Sequence, residues 1–402
     1  MVHTGAIVAS GLSRVIVPWT RGLLELRLPS SQREWVGMGC AAGVAAAFNA
    51  PLGGILYSFE EVCSSWSESL TWRAFVGSML AAITFNWIVN NAFSDVTVNG
   101  ILIKDGFAIG IDSEEANHTF EVLDYVWCIV LGILGGILGA LYNRLVIFFA
   151  RLRRRALKSR PRTKVLEAVA VAAIVFTAYF WTPDIFECRK CTEGMNCYDG
   201  AGSSGSDGDD GGERRRRLAG GGGGLHYVQW TCAPHYYSEL ATLFHSGQEG
   251  LIKHLFERAT ASSDGDEGWE IRSPVLAVFL AFYFPLAAFA FGIAVPAGNF
   301  IPAMTVGAAL GRLVGQELNG AEGAATSIVD AGKFAMLGSA AMLGGVTRMT
   351  LTLAVILVEV TKDVYAVVPI MITLACAKAV GDLFSPSFDH GMIHFNHLPF
   401  LE

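Results

Sequence analysis

The stretch Gly39–Val62, GCAAGVAAAFNAPLGGILYSFEEV, decides the fold. It strings together small and apolar residues and then places two adjacent carboxylates, Glu60 and Glu61, at its end. Small residues let helix backbones approach closely inside a bilayer. Asn49-Ala50-Pro51 interrupts the run, and the residue before a proline is pushed out of the α region. The pattern predicts two half-length helices joined at a break. A broken helix at membrane depth is stable only where it is buried in protein or lines a cavity. An ionisable pair at the end of such an element is by default a candidate functional site.

The rest of the chain agrees. Of its 402 residues, 52% are hydrophobic and only 16% are charged. A soluble domain carries nearer ~25% charged residues. Mean hydropathy is +0.44. The chain reads as an all-α, polytopic membrane protein with broken, tilted helices. The formal net charge of -7 does not direct it to nucleic acid, because Lys and Arg gather at membrane edges and not along one face. Met1-Val2-His3 leads straight into GAIVASGL, so no cleavable signal peptide is expected.

Apolar segments are read at 1–12, 72–89, 126–150, 165–181, 275–295, 299–314, 334–345, 351–360 and 367–379. Several are shorter than the ~20 residues a full crossing needs. Residues 13–33 read as a linker with a short helix, and Tyr237–Arg258 as an amphipathic helix at the interface. Short apolar segments broken by Gly and Pro suggest a transporter built around a midplane site. Arg151–Arg162, RLRRRALKSRPR, holds seven cationic residues among twelve, which places it in the cytosol. Residues 183–234 then lie on the opposite side.

That opposite segment contains Cys188, Cys191, Cys197 and Cys232 and a low-complexity tract within 185–225. The tract has too few apolar residues to offset its ordering entropy. Four cysteines in an oxidising lumen allow two disulfides in three connectivities, with zinc as the runner-up. Asn117-His118-Thr119 is a glycosylation sequon. Cys40, Cys63, Cys128 and Cys376 sit in apolar spans and read as buried thiols. The run Asp207–Asp210 lacks calcium-loop spacing. His390, His394 and His397 read as an interfacial histidine group, not a metal site. No nucleophile–base motif, phosphate loop or metal signature is present, so neither an enzyme nor a cofactor is expected.

Two constellations carry ion chemistry. In Gly298-Asn299-Phe300-Ile301-Pro302, glycine and proline set a helix start whose first amides have no intrahelical partner. Those amides and the positive end of the helix dipole form an anion site without a basic side chain. This suits chloride or nitrate, which must bind and leave quickly. The second is Glu61. A carboxyl in a partly desolvated site holds its proton more readily and can carry one near neutral pH. Glu359, late in an apolar helix, reads as structural, and Arg348 as an anchor in a turn.

With these segments in view, the chain resembles the CLC family of chloride channels and proton-coupled anion antiporters. The carriers are GVAAAFNAPLGGILYSFEEV (43–62), GIAVPAGNFIPAMTVGAALGRLVG (292–315), LGGVTRMTLTLAVILVEVT (343–361) and PIMITLACAKAVGDLF (369–384). LGALYNRL (138–145), CAPHYYSELATLF (232–244) and LPFLE (398–402) add support, the last two toward the plant and endomembrane branch. The resemblance implies that the backbone amides of Asn299 and Phe300 contact the central anion and that Glu61 relays protons. It implies a homodimer, with residues 50–65 and 350–380 at the contact face, in a vacuolar or similar membrane rather than the plasma membrane. It implies chloride or nitrate exchanged for protons, with chloride as substrate and lipid as surroundings. The rivals are a passive voltage-gated-type chloride channel and a non-conducting partner of a complete subunit.

Two departures are expected. The family usually has a tyrosine whose hydroxyl donates to the anion, and a gapless alignment puts Asp389 there, beside Phe388. The family's earlier GSGIP-type loop and GKEGP loop, with the external gating glutamate, would precede Met1. Residues 1–402 thus read as a partial transmembrane domain lacking the first helices and any C-terminal regulatory pair.

Overall fold

The computed structural model describes residues 2–19, 29–92, 122–156, 161–190, 227–256 except 234, 271–322 except 294 and 296, and 331–397. Fourteen α-helices are found among the described residues. In chain order they are α1 (Val2–Trp19), α2 (Pro29–Phe48), α3 (Pro51–Tyr57), α4 (Glu68–Ala92), α5 (Val122–Ala156), α6 (Pro161–Trp181) and α7 (Glu239–His245). There follow α8 (Gln248–Phe256), α9 (Ser273–Ala290), α10 (Phe300–Glu322), α11 (Ala331–Thr347), α12 (Leu351–Thr361), α13 (Val367–Phe384) and α14 (Phe388–Asn396). A short antiparallel ladder joins β1 (Arg189–Lys190) to β2 (Tyr236–Tyr237), with Arg189 opposite Tyr237. Among the described residues, four stretches, Asp124–Arg155, Arg162–Ile185, Ser273–Ala290 and Val367–Asn396, are long and apolar enough to cross a membrane.

The bundle is organised around α11. Every residue of that helix except Lys333 and Thr347 is buried. Its small side chains let three neighbours press against it. A Cβ added at Gly311 of α10 would lie 2.0 Å from the Phe334 carbonyl oxygen, and one at Gly139 of α5 2.3 Å from the Gly345 carbonyl carbon. Such approach is how helices associate where lipid removes the hydrophobic drive between them. The outer surface is apolar instead: Val165, Leu166, Phe176 and Trp181 of α6 are each more than 60% exposed, a face that suits lipid.

The break at Asn49-Ala50-Pro51 falls between α2 and α3 as expected. Asn49 takes a left-handed φ of 52°, and its side-chain oxygen accepts from Asn86 Nδ2 at 2.9 Å. The first limb is not half-length, however. Pro29 opens a helix of 20 residues, because proline fits the first turn, where its missing N–H costs nothing. Residues 13–19 continue α1 and are no linker. α10 also overruns its expected end at Val314 and reaches Glu322. Gln316, which looks like an exit to water, instead donates to the Ile271 carbonyl at 2.9 Å.

Tyr237–Arg258 is not one interfacial helix. It divides into α7 and α8, whose Leu240, Leu243, Leu251, Ile252 and Leu255 lie in the main core. Ser238 caps α7 by accepting from Ala241 N at 3.2 Å. The buried Glu239 is satisfied by Arg189 at 2.8 Å and Arg272 at 3.1 Å. Arg312 is buried and donates to the carbonyls of His254 and Leu255, neutralising the C-terminal end of α8. Of the thiols expected to be buried, Cys40 and Cys128 are, while Cys63 and Cys376 are half-exposed. Among the other four cysteines, Cys188 and Cys232 form a disulfide. Cys191, Cys197 and Asn117 lie outside the described residues.

Candidate functional site

The EEV end of the opening stretch is not a plain helix terminus. After α3 the chain makes a π-helical turn, Ser58–Val62, closed by Cys63 N–H donating to the Ser58 carbonyl at 2.9 Å. The Ser58 hydroxyl anchors it by donating to the Gly37 carbonyl at 2.8 Å. Such wide turns recur at functional sites. Here it sends two consecutive carboxylates to different partners.

Glu60 turns to the start of α12. It accepts from Thr350 N at 2.8 Å, Thr350 Oγ1 at 3.2 Å and Thr352 N at 3.0 Å. Neither Thr350 nor Ala50 caps its own helix through its side chain. The start of α3 is served from the other direction. Glu359, near the end of α12, accepts from Leu52 N at 3.1 Å and Gly53 N at 2.7 Å. Each helix thus neutralises the amide end of its neighbour, where free N–H groups and the dipole favour an anion. Glu359 is structural, as the sequence indicates. Glu60→Gln and Glu359→Gln each remove one charged cap. Each is expected to cost about 1–2 kcal/mol, with the pair non-additive because both caps fix one helix contact. Thermal unfolding of the four proteins in a double-mutant cycle checks this, and two silent single variants would refute it.

Glu61 turns to α14. Its carboxyl lies beside that of Asp389. Two ionised carboxylates can only accept and repel, so one proton between them would relieve such a pair. The other charged or titratable neighbours are Glu60 and Tyr57 beside Glu61, and His3 of α1 beside Asp389. Of the two residues that the resemblance puts at the tyrosine position, Phe388 is buried with its ring 4.8 Å from that of Phe291. Asp389 alone faces the acidic turn.

The glycine-rich start of α10 forms the second part. Gly298 and Asn299 lead into Phe300, the first helical residue. The Phe300 ring meets that of Phe48, the last residue of α2, at 4.8 Å, so the tip of α10 abuts the break between α2 and α3. Asn299 Oδ1 accepts from the buried Tyr142 hydroxyl at 2.6 Å. The structure therefore brings the α10 tip to the helix break, and Glu61 to Asp389. It sends Phe388 into the core.

Arg348 stands apart in a turn with a φ of 67°. It donates to the carbonyls of Gly345 and Ser385 and pairs with Asp382 at 3.1 Å, strapping α11 to the end of α13. His390, His394 and His397 line a hollow of ≈ 440 Å³ with Arg151 and Arg154. Among the described residues no group of three or more His, Cys, Asp or Glu is placed to hold a metal ion. The Glu61–Asp389 and Tyr142–Asn299 pairs are not visible in the sequence, though each member falls within a segment that the family resemblance covers.

These features can be set beside known proteins. A family model described as voltage gated chloride channel matches residues 1–382. The chain belongs to this family, the CLC proteins. It is 34% identical over 426 residues to chloride channel protein CLC-d of Arabidopsis thaliana, covering 100% of this chain and 48% of that protein. It is 34% identical over 408 residues to H(+)/Cl(-) exchange transporter 7 of Mus musculus, covering 100% of this chain and 46% of the mouse protein. The chain thus spans about half the length of these curated relatives. The crystal structure of a eukaryotic CLC transporter superposes with a TM-score of 0.61 at 24% identity, over 99% of this chain and 52% of that one. A slow cyanobacterial Cl-/H+ antiporter gives 0.60 at 15% identity, over 97% and 69%. These superpositions show a CLC fold, and with the apolar helices they make this CLC chain a membrane protein.

Proposed function

We propose that this CLC chain contributes the anion- and proton-carrying elements of a chloride/proton exchanger. The observation that carries the reading is the placement of the Glu61 carboxyl beside that of Asp389, a pair relieved of repulsion by holding a proton. The anion is held by the backbone amides at Asn299 and Phe300, beside Gly298, and Glu61 passes the proton. The names of the mouse relative and the cyanobacterial neighbour, both proton-coupled, support this reading.

The finer assignments belong to the same proposal. Chloride is the first substrate and nitrate the second. The protein acts as a homodimer in an endomembrane. Leu52, Phe59, Leu351, Val364 and Tyr365 are exposed and apolar and fall in the two stretches assigned to the dimer face.

The test is flux from vesicles holding the purified chain. With potassium and valinomycin clamping the voltage, an imposed chloride gradient should drive protons the opposite way, read by an internal pH dye. Chloride efflux without proton movement would make the protein a passive channel. A different alternative is a non-conducting partner of a complete CLC subunit: where the resemblance expects a tyrosine hydroxyl, the gapless alignment puts the carboxyl of Asp389. Silence in this assay together with co-purification of a complete subunit would establish that alternative.

A further inference from the structure

We propose that the side chain of Asn299, held by Tyr142, is a direct donor to the transported anion and sets its affinity. The inference rests on the anion site proposed above and adds a ligand to it.

The Tyr142 hydroxyl comes from the middle of α5 and is nearly inaccessible to water, with the residue 1% exposed. Its ring is set edge-on against Phe284, centroid to centroid 5.7 Å. Its hydroxyl donates to Asn299 Oδ1 at 2.6 Å. That contact fixes the plane of the carboxamide and assigns its other end, Nδ2, to a separate direction. Asn299 Nδ2 is buried and has no hydrogen-bond partner among the described residues. A buried N–H left unmade is costly, and native proteins retain few of them. This one belongs to the residue directly before the first turn of α10, where backbone N–H groups already point outward unpaired. A carboxamide N–H joined to that group adds a donor that favours a small monovalent anion over a cation.

The neighbours leave room for this role. Phe388 is turned into the core against Phe291, and Asp389 is engaged with Glu61. Neither brings a hydroxyl donor to the α10 tip. A polar residue at 299 and a phenol at 142 supply a side-chain donor from another direction. Tyr142 is a positioning residue in this scheme, since it acts only through the amide it orients.

Chloride and nitrate titrations of the purified 402-residue chain in detergent, by calorimetry, provide the test. The informative variants are Asn299→Leu, Asn299→Asp and Tyr142→Phe. Loss of one hydrogen bond to an ion is expected to weaken chloride binding about tenfold in Asn299→Leu. Asn299→Asp keeps the shape and the acceptor for Tyr142 but turns the donor into a negative acceptor, so it should abolish binding while the protein stays folded. Tyr142→Phe should weaken binding less and change the chloride-to-nitrate ratio while the protein stays folded. A merely structural tyrosine would not move that ratio. Wild-type affinity in Asn299→Leu or Asn299→Asp would overturn the inference and leave a water as the partner of Nδ2. Absence of anion binding in the unaltered chain would overturn the anion site itself.

Discussion

Glu61→Ala is expected to abolish proton movement while anion movement continues. The substitution removes one of the two carboxyls proposed to share a proton, and it leaves the α10 tip untouched. The remaining acid, Asp389, then lacks its neighbouring carboxyl and faces His3 without a second acid to pass the proton on. In vesicles, a chloride gradient should still release chloride, but the internal pH signal should fall to that of empty vesicles. Asp389→Asn separates the members of the pair. Its amide can still donate to Glu61, so Glu61 is held in place as an anion without a shared proton. Proton movement should slow in that variant and not vanish. Unchanged pH-driven anion movement in Glu61→Ala would remove Glu61 from the pathway. Equal loss of both fluxes would make the carboxylate part of the scaffold, as Glu60 is.

The contrast between these adjacent glutamates marks the limit of what the chain reveals as a string. The helix break was legible because proline acts on its immediate neighbour. The α10 start was legible for the same reason, as glycine and proline set local geometry. The division of labour at Glu60 and Glu61 was not. It depends on a π turn that rotates one carboxylate toward Thr350, 290 residues away along the chain, and the other toward α14. The length of α10 was obscured by Gln316, whose polarity suggests water but whose partner is a backbone carbonyl. Likewise Tyr237–Arg258 has the alternation of a surface helix, yet its polar Glu239 and Thr242 are satisfied inside. Buried polar groups with distant partners defeat reading by local pattern. The pairing of Asn299 with Tyr142 belongs to this class too, since the two are 157 residues apart.

The Cys188–Cys232 bond should make the largest single contribution to stability outside the membrane. Its two ends are 44 residues apart in sequence, with Cα atoms 5.9 Å apart. The chain-entropy argument gives about 4 kcal/mol for closing a loop of this length. The β1–β2 ladder adds little by itself, being two residues long on each side. The Arg189–Glu239 pair at 2.8 Å lies beside it, so the bond also holds the arginine that neutralises a buried carboxylate. Cys188→Ser and Cys232→Ser should therefore lower the unfolding temperature by the same amount. The double variant should lose no more than either single one, because one bond is removed in all three. Dithiothreitol should bring the unaltered protein to the same value. The bond also tests sidedness. It persists only in an oxidising compartment, which requires this segment to lie opposite the cationic run Arg151–Arg162. Maleimide labelling of native membranes without reductant should leave Cys188 and Cys232 unmodified. Labelling of both would place the segment in a reducing compartment and reverse the orientation argued from the basic loop.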